Sequence, residues 1–273
     1  MLTMSNTTSV ILMIILMELL SWAFSLMISK EVLVKYLVLQ GYFTILMVSM
    51  VLIQVKLAFL MLLFKMGIPP FHLWVVAIML KLKKKEFVFF STLHKFIPLL
   101  ALAKFSSNYS LISLAVVTMV ISSILIFMLV HISLVMLFSS FIHTGWMVMS
   151  SSLNLELMLT YWLGYTYVLV TLFLLLLGSN LKSLGMSQTS ASALTLLVLS
   201  GLPPFIMFWL KVNVLYGILF FSPTMVWMLL FTTVLAISAY YYTFHSSCYP
   251  SLLVSSGGMI TSLVPASVFL LLY

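Results

Sequence analysis

Two interruptions of one form cut this otherwise apolar chain, Gly67-Ile68-Pro69-Pro70-Phe71 and Gly201-Leu202-Pro203-Pro204-Phe205. A proline pair removes two backbone donors and stops a helix, and the glycine beside it relaxes the turn. In hydrocarbon, each carbonyl released by such a break needs a partner from protein or enclosed water. Breaks at corresponding points of two halves mark the working site of ion-handling membrane proteins. Each break here has a lysine beside it, Lys65 before the first and Lys211 after the second. Proline kinks also shape membrane helices without further purpose. The repeated pattern with an intramembrane lysine is what favours a functional reading.

Of 273 residues, 64% are hydrophobic and 6% charged, with a mean hydropathy of +1.30. Soluble domains carry about 25% charged residues. The expected fold is an all-α polytopic membrane protein with room for about ten spans. Apolar windows place these spans at about 8–29, 32–54, 56–80, 87–105 and 110–130 in the first half. The rest fall at about 132–150, 156–177, 190–221, 224–245 and 257–273, the third and eighth being broken at Gly67–Pro70 and Gly201–Pro204. Short polar connections such as Ser151-Ser152-Leu153-Asn154 leave 1–273 as a single membrane domain. No cleavable leader is read at the N-terminus, so the first span is expected to drive insertion.

Twelve lysines, no arginine and four acids give a formal charge of +8. No basic groove with interleaved aromatics accompanies it, so nucleic acid is not an expected partner. Lys30, Lys81, Lys83, Lys84, Lys85 and Lys182 gather on one side of a ten-span arrangement, and Lys56 and Lys104 mark the other. The positive-inside rule then turns both termini outward, and the 81–85 cluster suits anionic headgroups. A single cysteine, Cys248, leaves no internal disulfide and no cysteine-based iron–sulfur or zinc site. Five scattered histidines and few acids do not make a metal site. No phosphate loop, Ser-His-Asp set or dinucleotide fingerprint is present. Tyr240, Tyr241, Tyr242, Trp74, Trp209 and Trp227 read as interface or packing residues.

Four ionisable residues, Glu18, Lys65, Lys95 and Lys211, fall near the middle of their spans. Each costs about 2.5–3.5 kcal/mol at a helix centre. A Glu–Lys pair can lock helices together, though often with little gain over apolar packing. Three lysines cannot all pair with one acid. A lysine enclosed without a carboxylate exchanges its proton more readily than one in water, which is what a proton relay requires. His143, within Ser139-Ser140-Phe141-Ile142-His143-Thr144-Gly145-Trp146-Met147, fits either a packing role or a proton carrier between lysines. His72 and His94 stand near Lys65 and Lys95, and His72 is better placed to satisfy carbonyls freed by the first break.

Lys65-Met66-Gly67-Ile68-Pro69-Pro70-Phe71-His72-Leu73-Trp74 resembles the Lys-x-Gly-x-x-Pro-Phe-His-x-Trp element of the subunit 2 family of mitochondrial NADH:ubiquinone oxidoreductase, respiratory complex I. His94-Lys95-Phe96-Ile97-Pro98 is similar to that family's Gln-Lys-Leu-Ala-Pro, and Ser139 through Met147 to its Ser-Ser-Ile-x-His-x-Gly-Trp. Leu199-Ser200-Gly201-Leu202-Pro203-Pro204-Phe205, followed by Lys211, resembles its Leu-Gly-Gly-Leu-Pro-Pro with a downstream lysine. Val34-Lys35-Tyr36-Leu37, with Gln40, resembles Lys-Tyr-Phe-x-x-Gln. The matches run in order and cover most of the chain.

The resemblance implies a proton-translocating membrane-arm subunit of two inverted antiporter-like repeats, at 1–105 and 106–245, followed by a C-terminal helix at 246–273. It implies an ion pair of Glu18 with Lys65, a central Lys95 and an exit-side Lys211, with Lys35 as a possible accessory. No cofactor or metal would be bound by this chain, with NAD, FMN, iron–sulfur clusters and ubiquinone held elsewhere in the complex. Implied partners are other membrane-arm subunits, accessory subunits and anionic lipids such as cardiolipin. The implied location is the mitochondrial inner membrane, with both termini on the intermembrane-space side. Two departures stand out. The N-terminus is expected to be shorter by about one span, and Ser133-Leu134 replaces a basic pair of the family. A free-standing cation/proton antiporter would share the breaks and lysines. A structural anchor with a degenerate relay would share the fold.

Overall fold

The computed structural model describes residues 2–53, 58–79, 81–105, 108–127, 132–176, 197–203, 205–219 and 223–248. Regular structure among them is helical throughout. Pro204, Lys182, the junction at His131 and the tenth span at 257–273 lie outside the described residues.

The first two helices, α1 (Leu2–Ser25) and α2 (Lys30–Ile53), each bury one stripe. On α1 it holds Met13, Met17, Ser21, Phe24 and, just past its end, Ile28; on α2 it holds Val32, Tyr36, Gln40, Phe43 and Met47. Spacings of three and four place each stripe on one helical face. The opposite faces expose Leu12, Leu19, Trp22, Val34, Val38 and Ile45, as hydrocarbon allows. The first span ends at Ser25 instead of near 29, because Leu26 to Ser29 turn and the Ser29 carbonyl accepts the N–H groups of Val32 and Leu33.

The first break divides the third span into α3 (Ala58–Met66) and α4 (Leu73–Met79). Gly67 has φ +61°, and a Cβ there would run into Val75 and Trp74. The next span is α5 (Lys84–Phe89), a π-helical turn (Phe90–His94) and α6 (Lys95–Phe105). Pro98 cannot donate to the carbonyl of His94 and its ring crowds that carbonyl, so a widened turn ending at His94 relieves the conflict.

Helix α7 (Asn108–Phe127) packs closely on α8 (Ile132–Leu153) at Gly145. A Cβ on Gly145 would lie 2.6 Å from Met119 Cγ, 2.9 Å from Thr118 Oγ1 and 3.1 Å from the Ala115 carbonyl. Small residues allow such approach between membrane helices. Gly145→Ala is therefore expected to push α7 off α8 and cost about 1–3 kcal/mol, read as a lower thermal midpoint of the assembled protein. An unchanged midpoint would mean the contact is loose.

Every residue of α8 from Val135 to Ser150 is buried, which makes it the central helix. Ser151 and Ser152 donate to the carbonyls of Val148 and Met149, so α8 runs through the expected polar connection to Leu153. Only Asn154 separates it from α9 (Leu155–Leu176). The chain folds back there, because His143 meets Tyr161 and Tyr165 across the hairpin. Beyond it, residues 197–200 are helical, Gly201 takes φ +75°, and α10 (Ile206–Leu219) and α11 (Pro223–Cys248) follow.

By length and composition, four helices among the described residues can cross a membrane: Lys30–Val51, Lys85–Ala103, Leu134–Leu153 and Thr224–Thr243.

Candidate functional site

Lys65, in the last turn of α3, donates to Glu18 Oε1 at 2.7 Å. Ser21 Oγ donates to the Glu18 main-chain carbonyl at 2.7 Å and reaches its Oε2 at 3.4 Å. The Lys65 side chain is 1% exposed and that of Glu18 31%, so the ammonium is enclosed and the carboxylate sits at the bundle rim. A lysine at the C-terminal end of a helix also meets the negative end of the helix dipole.

Lys95 begins α6 and points to α8, where its Nζ donates to Ser140 Oγ at 3.1 Å and stands 4.6 Å from the centre of the Phe141 ring. One helical turn beyond Ser140, His143 Nδ1 meets the Tyr161 hydroxyl at 3.0 Å. The Tyr165 ring lies 4.9 Å from the imidazole. The other ring nitrogen of His143, Nε2, is buried and has no hydrogen-bond partner among the described residues. The hydroxyls of Tyr165 and Tyr240 are buried and have no hydrogen-bond partner among the described residues. Ser91, Ser139, Ser140 and Tyr161 are buried around them.

Lys211 is also buried, and no carboxylate meets it among the described residues. Its Nζ donates to the carbonyl of Ser200 at 2.7 Å and lies 5.9 Å from the centre of the Trp146 ring. Ser200 ends the helical segment before Gly201, so the lysine satisfies a carbonyl that the second break releases.

At the first break that task falls to Trp74, whose Nε1 donates to the Phe64 carbonyl at 3.0 Å. Trp74 thus has a specific interior use beyond the interface or packing role expected of it. His72 Nδ1 lies 3.3 Å from the Pro70 carbonyl, and its ring meets the edges of Phe138 and Phe141 on α8. The Phe71 and Phe205 amides close turns onto the carbonyls of Ile68 and Leu202. Gly67, Ile68, Pro69 and Gly201 are buried, whereas Pro70 and Pro203 are exposed. Each break is thus interior on one side only. The glycine side faces inward, and a proline ring with no N–H can sit at the surface without stranding a donor.

The bundle brings together Glu18 with Lys65, and Lys95, His143 and Lys211 around α8. Lys35 is exposed and lies outside this set. Sequence reading missed Tyr36, Ser140, Tyr161, Tyr165 and Tyr240 as members of the polar interior. The Tyr36-x-x-x-Gln40 spacing was the available signal, since it puts two polar groups on one helical face. At the surface, Lys81 Nζ approaches Glu31 Oε2 at 3.9 Å. This sets the start of α2 beside the loop after α4. Among the described residues no three His, Cys, Asp or Glu side chains converge, so no metal site is assigned.

No family model matches the sequence. Curated relatives do. NADH-ubiquinone oxidoreductase chain 2 of Artemia franciscana is 31% identical over 67% of this chain and 64% of its own length. The chains of the same name from Myxine glutinosa and Anopheles gambiae are 29% and 32% identical, over 59% and 56% of this chain and 50% and 48% of their own lengths. The chain thus spans about half to just under two thirds of these relatives. Among solved structures, a chain of respiratory complex I from Thermus thermophilus superposes with a TM-score of 0.73 at 18% identity, covering 94% of this chain and 71% of that one. A chain of the Mrp complex from Dietzia sp. gives 0.67 at 15% identity, covering 82% and 53%. At these identities the solved structures speak for the fold alone, that of membrane subunits of such complexes. The curated matches, together with the ordered motifs, make this chain a homologue of NADH-ubiquinone oxidoreductase chain 2.

Proposed function

We propose that this chain moves protons as a membrane-arm subunit of respiratory complex I, coupled to NADH oxidation and ubiquinone reduction in other subunits. One observation carries the reading. Three lysines are enclosed in one bundle, one held by a carboxylate and two, among the described residues, by neutral groups only, with the His143–Tyr161 pair on the same central helix that Lys95 meets. An ammonium with neutral partners can give up its proton and regain it through hydrogen-bonded neighbours or short water chains. A merely structural lysine would be expected to keep a carboxylate.

The relay runs Glu18–Lys65, Lys95, His143, Lys211. The repeats at 1–105 and 106–245 are inverted, each with one broken helix, within about ten spans. The chain itself holds no redox centre, and NAD, FMN, iron–sulfur clusters and ubiquinone belong to the rest of the complex. Its partners are the other membrane-arm subunits and anionic lipids at the 81–85 lysines. It lies in the mitochondrial inner membrane with both termini toward the intermembrane space. Co-purification at fixed stoichiometry with flavin and iron–sulfur subunits separates this reading from a free-standing cation/proton antiporter.

Lys95→Met tests it directly. In the assembled complex, proton pumping and quinone-dependent turnover should fall while NADH oxidation by artificial acceptors persists. Unchanged pumping in an intact complex would exclude the relay and favour a structural anchor.

A further inference from the structure

We propose that His94, held by Tyr36, is the proton carrier between the Lys65–Glu18 pair and Lys95, an inference that rests on the relay just described. His94 and Lys95 are consecutive and both buried, yet they face different neighbours. The imidazole meets Tyr36 on α2, its Nε2 lying 2.7 Å from the hydroxyl, while Lys95 meets Ser140 on α8. The π-helical turn ending at His94 sits where this hand-over occurs. Phe24 and Phe90 enclose the ring, with centroids at 5.8 and 4.8 Å, so the imidazole is fixed in place.

Two further observations point the same way. His94 Nδ1 is buried and has no hydrogen-bond partner in the described chain, and the same holds for both side-chain polar atoms of Gln40. Gln40 lies one turn from Tyr36 on the buried stripe of α2, followed by Phe43, which meets Phe64 beside Lys65. The stripe therefore runs from His94 to the first break.

With Nε2–H donated to the Tyr36 oxygen, Nδ1 presents its lone pair. An N–H bond of the Lys65 ammonium breaks as an N–H bond forms at Nδ1, directly or through water. The imidazolium then releases that proton to the neutral amine of Lys95. No other bond changes and no electron moves.

The test uses membranes containing the assembled complex, with the amount of complex normalised. Protons moved per electron are measured for Tyr36→Phe, His94→Leu, His94→Gln and, as reference, Lys95→Met. Glutamine keeps the packing and a hydrogen bond to Tyr36 but takes up no proton, so it rescues a structural role and not a carrier. We expect both His94 variants to lower protons per electron several-fold and Tyr36→Phe to lower it less. The solvent deuterium isotope effect on NADH-driven quinone reduction should rise in all three, as proton transfer becomes limiting. Full pumping with an unchanged isotope effect in His94→Gln, alongside a defective Lys95→Met, would overturn this inference and leave the relay standing. Normal pumping in Lys95→Met would overturn the relay itself. If neither His94 variant assembles, Tyr36→Phe decides, and wild-type pumping there overturns the proposal.

Discussion

Glu18→Gln is expected to lower the yield and thermal midpoint of the assembled protein sharply and to abolish coupled proton movement. The Lys65 ammonium is 1% exposed and donates to Glu18 at 2.7 Å, with no other carboxylate near it among the described residues. Removing one partner of an enclosed pair costs about 3–5 kcal/mol, because the remaining charge is stranded. Glu18 is 31% exposed, which places the expectation at the lower end. The double variant Glu18→Gln/Lys65→Met should recover most of the yield, since no charge is then left without a partner. It should not recover proton movement. If the single and double variants are equally unstable, the pair is not what holds α1 to α3. If the double variant pumps, the pair is not part of the path.

Gly201→Ala should be nearly as damaging for a different reason. Gly201 has φ +75°, a region that costs an L-residue about 1–2 kcal/mol. The new Cβ would stand 2.9 Å from Lys211 Nζ and 3.2 Å from its Cδ and Cε. The lysine would have to leave the Ser200 carbonyl, stranding a buried acceptor at about 1–3 kcal/mol. Gly41→Ala is the control, since a Cβ there meets nothing within 4 Å. A helix interior gains about 0.5–1 kcal/mol from that change. Thermal midpoints should therefore move in opposite directions, and equal midpoints would mean Gly201 is replaceable.

Much of the site was legible because charge and proline are costly in hydrocarbon, so any occurrence asks for a cause. Lys65, Lys95 and Lys211 stood out on that ground alone, and so did the two breaks. Serine and tyrosine carry no such cost. They are frequent in membrane helices, and a serine can always bond to its own helix, as Ser139 and Ser140 do. Whether Tyr161 or Tyr240 faces lipid or the bundle interior depends on helix rotation and neighbours, which uniformly apolar helices do not encode by periodicity. For the same reason Trp74 read as a membrane-interface or packing residue until its N–H was found on the Phe64 carbonyl. The partner of Lys211 was hidden too, because it is a main-chain carbonyl that exists only once the break has formed.

The burial of α8 has a consequence for how the chain is made. Of the four helices apolar enough to cross a membrane, it is the most enclosed, with 89% of its best window buried. It is also the least hydrophobic, at a mean hydropathy of 1.3 against 1.6 for the helices at Lys30–Val51 and Thr224–Thr243. A water-soluble protein sorts its residues the other way, with the greasiest helix inside. Here the solvent is lipid and the interior is the more polar place. The insertion machinery must therefore accept α8 on weak hydrophobic credentials and hold it until α7 and α9 close around it. The single-residue turn at Asn154 suits that need, because it delivers α8 and the more apolar α9 to the membrane as one hairpin.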